Sequence, residues 1–169
     1  WYSPKPGGFE KAEEFPALLN EGDALFLTDL NETLIDSVHY LESWHHPMLS
    51  ITAGVSLEKI HPDLASWSQQ SWHSAASTAG YATPACQNSQ YSISETSDLV
   101  VLAEPEVFSP DNDGYQDQLS VSVRLPDPGY QAIIEVYNES GMLVTGIANN
   151  ELSGTECMYF WDGRNQQGN

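Results

Sequence analysis

The sequence predicts an all-β chain of the β-sandwich class. Three observations carry this. Helical periodicity is nearly absent, short apolar-rich or alternating runs recur between turn residues, and those runs repeat at roughly 8–12 residues, the spacing of sandwich strands. A length of 169 residues allows one ordinary domain or two small ones.

Only Lys11–Asn20 reads as helical, with Ala12, Phe15 and Leu19 on one side. Ala24–Thr28 and Thr33–Tyr40 flank Asp29-Leu30-Asn31-Glu32, which predicts a β-hairpin. Val55–Ile60 is the next strand, and Pro62 stops it. Ser66–Gln90 is rich in Ser, Ala and Thr and is expected to cross a surface, pinned by Trp67, Trp72 and Tyr81. Asn88–Asp98 is polar, lacks Gly and Pro and carries only acidic charge, so residues 89–98 are expected to form a linker. Beyond it, strands are expected at Leu99–Ala103, Leu119–Leu125, Ala132–Tyr137, Met142–Ile147 and Met158–Trp161. In the second of these Leu119, Val121, Val123 and Leu125 alternate inward. Pro126-Asp127-Pro128-Gly129 and Asn138-Glu139-Ser140-Gly141 are strong turns.

Charge narrows the function. Twenty-four acidic residues stand against five Lys and Arg, a net charge of −19. No Lys or Arg lies between Lys59 and Arg124, so a phosphate backbone would be repelled along that stretch and nucleic-acid binding is disfavoured. No apolar run approaches the roughly 18 residues of a membrane-spanning helix. The chain opens at Trp1 without a signal-peptide pattern, as a mature product or part of a longer protein does. Cys86 and Cys157 lack metal spacing and do not make a disulfide framework.

Asp111, Asp113 and Asp117 form the sharpest chemical constellation. Three ionised carboxylates so close repel one another, and a hard cation relieves the repulsion while Gly114 permits the tight turn. Calcium in a structural role is one reading. The other is a turn held by Asx hydrogen bonds with solvated carboxylates. His39, His45, His46, His61 and His73 show no zinc-ligand spacing. No nucleophile elbow and no cysteine near a histidine appears, so the chain is expected to be non-catalytic. Tyr40, Trp44, Trp67, Trp72 and Tyr81 could serve a sugar-stacking surface or act as core and loop anchors.

Two resemblances add to this reading. Val107–Asp117 reads VFSPDNDGYQD, and the chain ends YFWDGRNQQGN. Phe108, Ser109, Pro110, Asp113, Gly114 and Asp117, followed by Trp161, Asp162, Gly163 and Gly168, resemble the paired motifs of an Ig-like module. That module occurs in flagellar hook-capping proteins and in the gliding-motility-associated C-terminal domains of Bacteroidota surface proteins. Asp111 stands where that family more often has Asn. Upstream, the hairpin Leu25–Tyr40, Gly54-Val55-Ser56-Leu57-Glu58, Trp72, Thr83-Pro84 and Asn88-Ser89 resemble a bacterial lamin-tail domain, also an Ig-like sandwich. Ala85 and Cys86 stand where that family usually has Gly after its last Pro.

The resemblances imply a lamin-tail-like module at residues 1–88, a linker at 89–98 and an Ig-like module at 99–169. Both are shorter than the roughly 100 residues of an Ig-like sandwich, so either the chain continues or another chain covers open edges. They imply a non-catalytic protein outside the cytoplasm, at the cell surface. It would be a component or cargo of an outer-membrane secretion, gliding or adhesion assembly, with protein partners there. A calcium-dependent carbohydrate-binding module with a glycan ligand, or an accessory domain of a secreted hydrolase, is the alternative.

Overall fold

The computed structural model describes residues 17–92 and 98–168. These residues are all-β, with no α-helix among them and short 3-10 turns at Glu42–Trp44, Gln69–Ser71 and Ser77–Ala79. Nine strands follow in order: β1 Gly22–Thr28, β2 Leu34–Leu41, β3 Leu57–Lys59, β4 Trp72–Ser74, β5 Val100–Glu104, β6 Leu119–Arg124, β7 Gln131–Tyr137, β8 Leu143–Leu152 and β9 Glu156–Trp161. They make small antiparallel sheets: β1-β2, β3-β4, β5-β6-β9 and β7-β8. No helix among the described residues is long and apolar enough to cross a membrane. The helix expected over Lys11–Asn20 falls largely outside the described residues.

The first hairpin forms where the turn chemistry places it. Asp29 closes it, its Oδ1 accepting the amides of Asn31 and Thr33, both at 2.8 Å. The Thr33 amide holds the Asp29 carboxyl below its ordinary range, against a smaller opposing effect of desolvation. Leu25, Val38 and Tyr40 lie on the face turned toward β3, β4 and the chain before β3. A polar tie closes one end of that face. Ser66 donates to Asp36 at 2.6 Å and accepts from the Lys59 ammonium at 2.8 Å.

The second half holds the apolar core. Val121, Ala148 and Tyr159 are buried together, with Leu119, Val123, Ala132, Ile134, Ile147 and Cys157 packed around them. β6 and β9 thus face β7 and β8 across a small sandwich-like interior. β8 is longer than its sequence pattern indicates because its pairing with β7 shifts at three points. Val144, Ile147 and Asn150 fall between paired residues, and Asn150 takes a left-handed φ of 57°. Each extra residue bends the strand. One bulge places the neighbours Ile147 and Ala148 both toward the core, which strict alternation forbids.

The halves meet through polar contacts. Gln90 is fully buried. Its Nε2 donates to the carbonyls of Ser74 at 3.0 Å and Ser153 at 3.1 Å, and its Oε1 accepts the Gly129 amide at 3.3 Å. Thr155 donates from its backbone to the Ser89 carbonyl at 2.9 Å and from its hydroxyl to the Tyr91 carbonyl at 2.7 Å. Ser77 reaches the Leu152 carbonyl at 3.0 Å. The first residues of the expected linker are therefore pinned to both halves, while residues 93–97 lie outside the described ones. Gly154 fits here because a Cβ on it would stand 2.6 Å from the Ser89 carbonyl oxygen.

Ser66–Gln90 differs from its expectation. It contains β4 and several of the most deeply buried residues, Ser71, Ser74, Ala75, Ala76 and Gln90, whereas Trp67 is 75% exposed. Trp72 does anchor the segment, donating its indole N–H to the Ser66 carbonyl at 2.9 Å, and the rest is held by hydrogen bonds of Ser74, Ser77, Ser89 and Gln90.

Candidate functional site

The loop between β5 and β6 gathers the candidate carboxylates. Asn112, Gly114 and Gln116 alternate with their neighbours in left-handed conformation, at φ of 63°, 87° and 53°, which curls the chain tightly. Asp117 faces back into the curl, its two oxygens accepting the amides of Asn112 at 2.7 Å and Gly114 at 2.9 Å. Asp111 accepts the Asp113 amide at 3.1 Å, and Asp113 accepts the Tyr115 amide at 2.7 Å, each through Oδ1. Among the described residues, Asp111, Asp113 and Asp117 are the one group of three or more His, Cys, Asp or Glu able to reach a common ion, with ligand atoms within 4.8 Å of one another.

This donor set fits a hard cation. It is all oxygen and formally −3. Asp111 and Asp113 are exposed and Asp117 half-buried, so water would complete the coordination.

The loop stands on a firm base. Phe108 meets the Trp161 ring edge-on, with centroids 5.5 Å apart. A Cβ on Gly163 would meet Pro110 at 3.0 Å and Phe108 at 3.1 Å. Trp161 donates its indole N–H to the Arg164 carbonyl at 2.8 Å, and Asp162 accepts the Arg164 amide at 3.1 Å. The two sequence motifs, more than forty residues apart, thus pack against each other.

The histidines form no such group. His45 Nδ1 and the His46 amide both meet the Ser74 hydroxyl, at 3.0 and 2.9 Å. His46 and His73 lie with ring centroids 5.5 Å apart. Burial pushes the pKa of His45 and His73 down, so both favour the neutral form.

The aromatic residues do not share one platform. Tyr40 and Trp72 line a cleft of about 550 Å³ between the first hairpin and the chain before β3. Trp67 and Tyr81 are exposed outside it, and Trp44 is half-buried. Desolvation first, then the charges of Asp23 and Glu21, raises the Tyr40 pKa.

Sequence reasoning named Glu58 only within the lamin-tail-like pattern and gave it no role. It is 4% exposed and accepts hydrogen bonds from the Thr83 hydroxyl, the Ser89 hydroxyl at 2.7 Å and the Gln90 amide at 3.3 Å. Nothing local marks it, because all three donors come from a distant segment. In the second half, Tyr159 and Ser153 share a buried hydrogen bond at 2.8 Å, and burial pushes the Tyr159 pKa up to about 12.

Comparison with family models, curated proteins and solved structures returns no match for the chain.

Proposed function

We propose that this chain is a non-catalytic interaction protein of the extracellular or cell-surface space, built from two Ig-like modules. It serves as a component or cargo of a Bacteroidota-like outer-membrane secretion, gliding or adhesion assembly. The observation that carries the reading is the apolar strand surface left open. Leu99, Val101 and Leu102 at and just before β5, Ile133 and Tyr137 on β7, and Met158 and Phe160 on β9 are each more than half exposed. Open apolar faces of this kind mark surfaces that partners cover. The charge of −19 fits the same reading, since it keeps such a surface soluble and repels nucleic acid.

Asp111, Asp113 and Asp117 hold a structural calcium ion in this reading. The ion neutralises the converging carboxylates and stiffens the β5–β6 loop, and no chemistry passes through it. The test is protease accessibility on intact source cells. Added proteinase K should degrade the chain while a cytoplasmic marker survives. Protection until lysis would contradict the proposal.

A second reading draws on the cleft between Tyr40 and Trp72, where an aromatic wall lies beside Glu42 and His45. This arrangement suits a sugar. Glycan-array binding lost both in Trp72→Ala and on chelation would favour a carbohydrate-binding module instead.

A further inference from the structure

We propose that the edge of β5 left unpaired among the described residues accepts an extended strand from a second protein, one with an apolar middle and Lys or Arg beyond each end. This rests on the interaction reading above and specifies the kind of partner. Among the described residues β5 pairs with β6 along one edge only, without a register shift from Val100 to Glu104. All five of its residues are exposed. Edge strands are ordinarily blunted by Lys, Pro or a bulge. β5 itself has no Lys, Pro or bulge; Glu104 is its one charged residue and Pro105 stands just past its end. Its open row of N–H and C=O groups is a template for strand addition, in which backbone bonds give affinity and alternate side chains give specificity.

The flanking surface suits such a strand. Register places Val100 and Leu102 on the outer face, beside Arg124 and Ser122 of β6 and in line with Glu156 and Met158 of β9. A shallow groove of about 410 Å³ runs along that face. The Arg124–Glu156 ion pair, at 3.0 Å, bounds it at one end. An added strand would extend this apolar face with every second side chain.

Charge selects the occupant. Asp98 precedes the apolar run, and Glu104 and Glu106 follow it. A second copy pairing antiparallel about Val101 would set Asp98 opposite Glu104 at both ends. Like charges directly opposite destabilise a strand pair, and each copy carries −19. A strand with Lys or Arg at those positions turns both repulsions into attractions.

The test uses the full chain and a synthetic peptide with an alternating Val-Thr core and paired lysines at each end. Titration into isotope-labelled protein should shift the amides of residues 98–106 first. Affinity should fall at least about tenfold as salt rises past the point where the screening length shrinks below about 8 Å. The same peptide N-methylated at alternate backbone nitrogens, or carrying glutamates at its ends, should bind at least tenfold more weakly. Leu102→Lys, on the outer face opposite Ser122, should abolish binding while leaving the thermal unfolding midpoint unchanged. Glu104→Gln should weaken binding severalfold and flatten its salt dependence.

Several results would overturn the proposal: no binding by the lysine-ended peptide, equal binding by either control peptide, or amide shifts centred elsewhere. Sedimentation showing a dimer that Leu102→Lys dissociates would assign the edge to a second copy and also overturn it. If the peptide fails while the chain is degraded on intact cells, strand addition alone falls. If the peptide binds while the chain is protected inside the cell, the surface reading alone falls.

Discussion

Replacing Gln90 tests how the two halves are joined. The side chain satisfies two carbonyls and one amide from three segments, Ser74, Ser153 and Gly129, with no exposure to solvent. At about 1 kcal/mol net per hydrogen bond, the three together stabilise the fold by about 3 kcal/mol. Gln90→Ala removes them but leaves room for a water with three polar partners, which recovers part of the loss. The expected cost is about 2–4 kcal/mol. Gln90→Leu fills the space with carbon and leaves the Ser153 carbonyl and the Gly129 amide dry and without their Gln90 partner, while Ser74 keeps only its long contact with His73, so it should cost more than Gln90→Ala, about 3–6 kcal/mol. Urea unfolding followed by tryptophan fluorescence measures both. The midpoint should drop in the order wild type, Ala, Leu, with a single transition in the wild type. A Gln90→Leu protein within about 0.5 kcal/mol of wild type would refute the claim that this side chain clamps the halves.

Gly154→Ala forces a Cβ to within 2.6 Å of the Ser89 carbonyl oxygen. It should destabilise by about 1–3 kcal/mol in the same urea assay, whereas Gly141→Ala should perturb only its own turn. Acid should loosen the fold in two stages. His45 and His73 have pKa values lowered by burial, so the unfolded chain binds protons first and stability falls as pH drops below about 6.5. The carboxyls of Asp29 and Asp36 are also lowered, by the Thr33 amide and the Ser66 hydroxyl respectively. Their stabilisation is present above about pH 4 and is lost as pH falls through their depressed values. Thermal melts in overlapping buffers would show both stages, and His73→Gln should flatten the upper one. Calcium at about one hundred times its dissociation constant should stabilise the chain by about 2.7 kcal/mol. Calorimetric binding should vanish in Asp113→Asn with Asp117→Asn, and a calcium-insensitive melt in the wild type would remove the ion from the account.

How legible the structure was depended on where each interaction partner lies. The hairpin around Asp29 was readable because turn and strands are adjacent and the Asp29 side chain bonds its own loop. Leu119, Val121 and Val123 were readable as an inward row because alternation on one strand reports the buried face. β8 was read too short because its bulges break that alternation after Ile147. Ser74 and Gln90 gave no signal, since a polar residue is buried only when partners elsewhere satisfy it. Trp67 misled, as it is large and apolar yet solvent-facing, whereas Trp72 is the anchor expected of it. The acidic loop was readable as a group because Asp111, Asp113 and Asp117 fall within seven positions. The packing of its base on Trp161 and Gly163 joins positions too far apart for spacing to reveal.

The account stands or falls on whether this chain works by contact with other proteins. Its native mass decides that most directly. Gentle envelope extracts of source cells, sized with a tag on this chain, should show it in particles several times heavier than its own 18.6 kDa, dispersed by salt or by calcium chelation. Migration as a single unassociated chain would contradict the account.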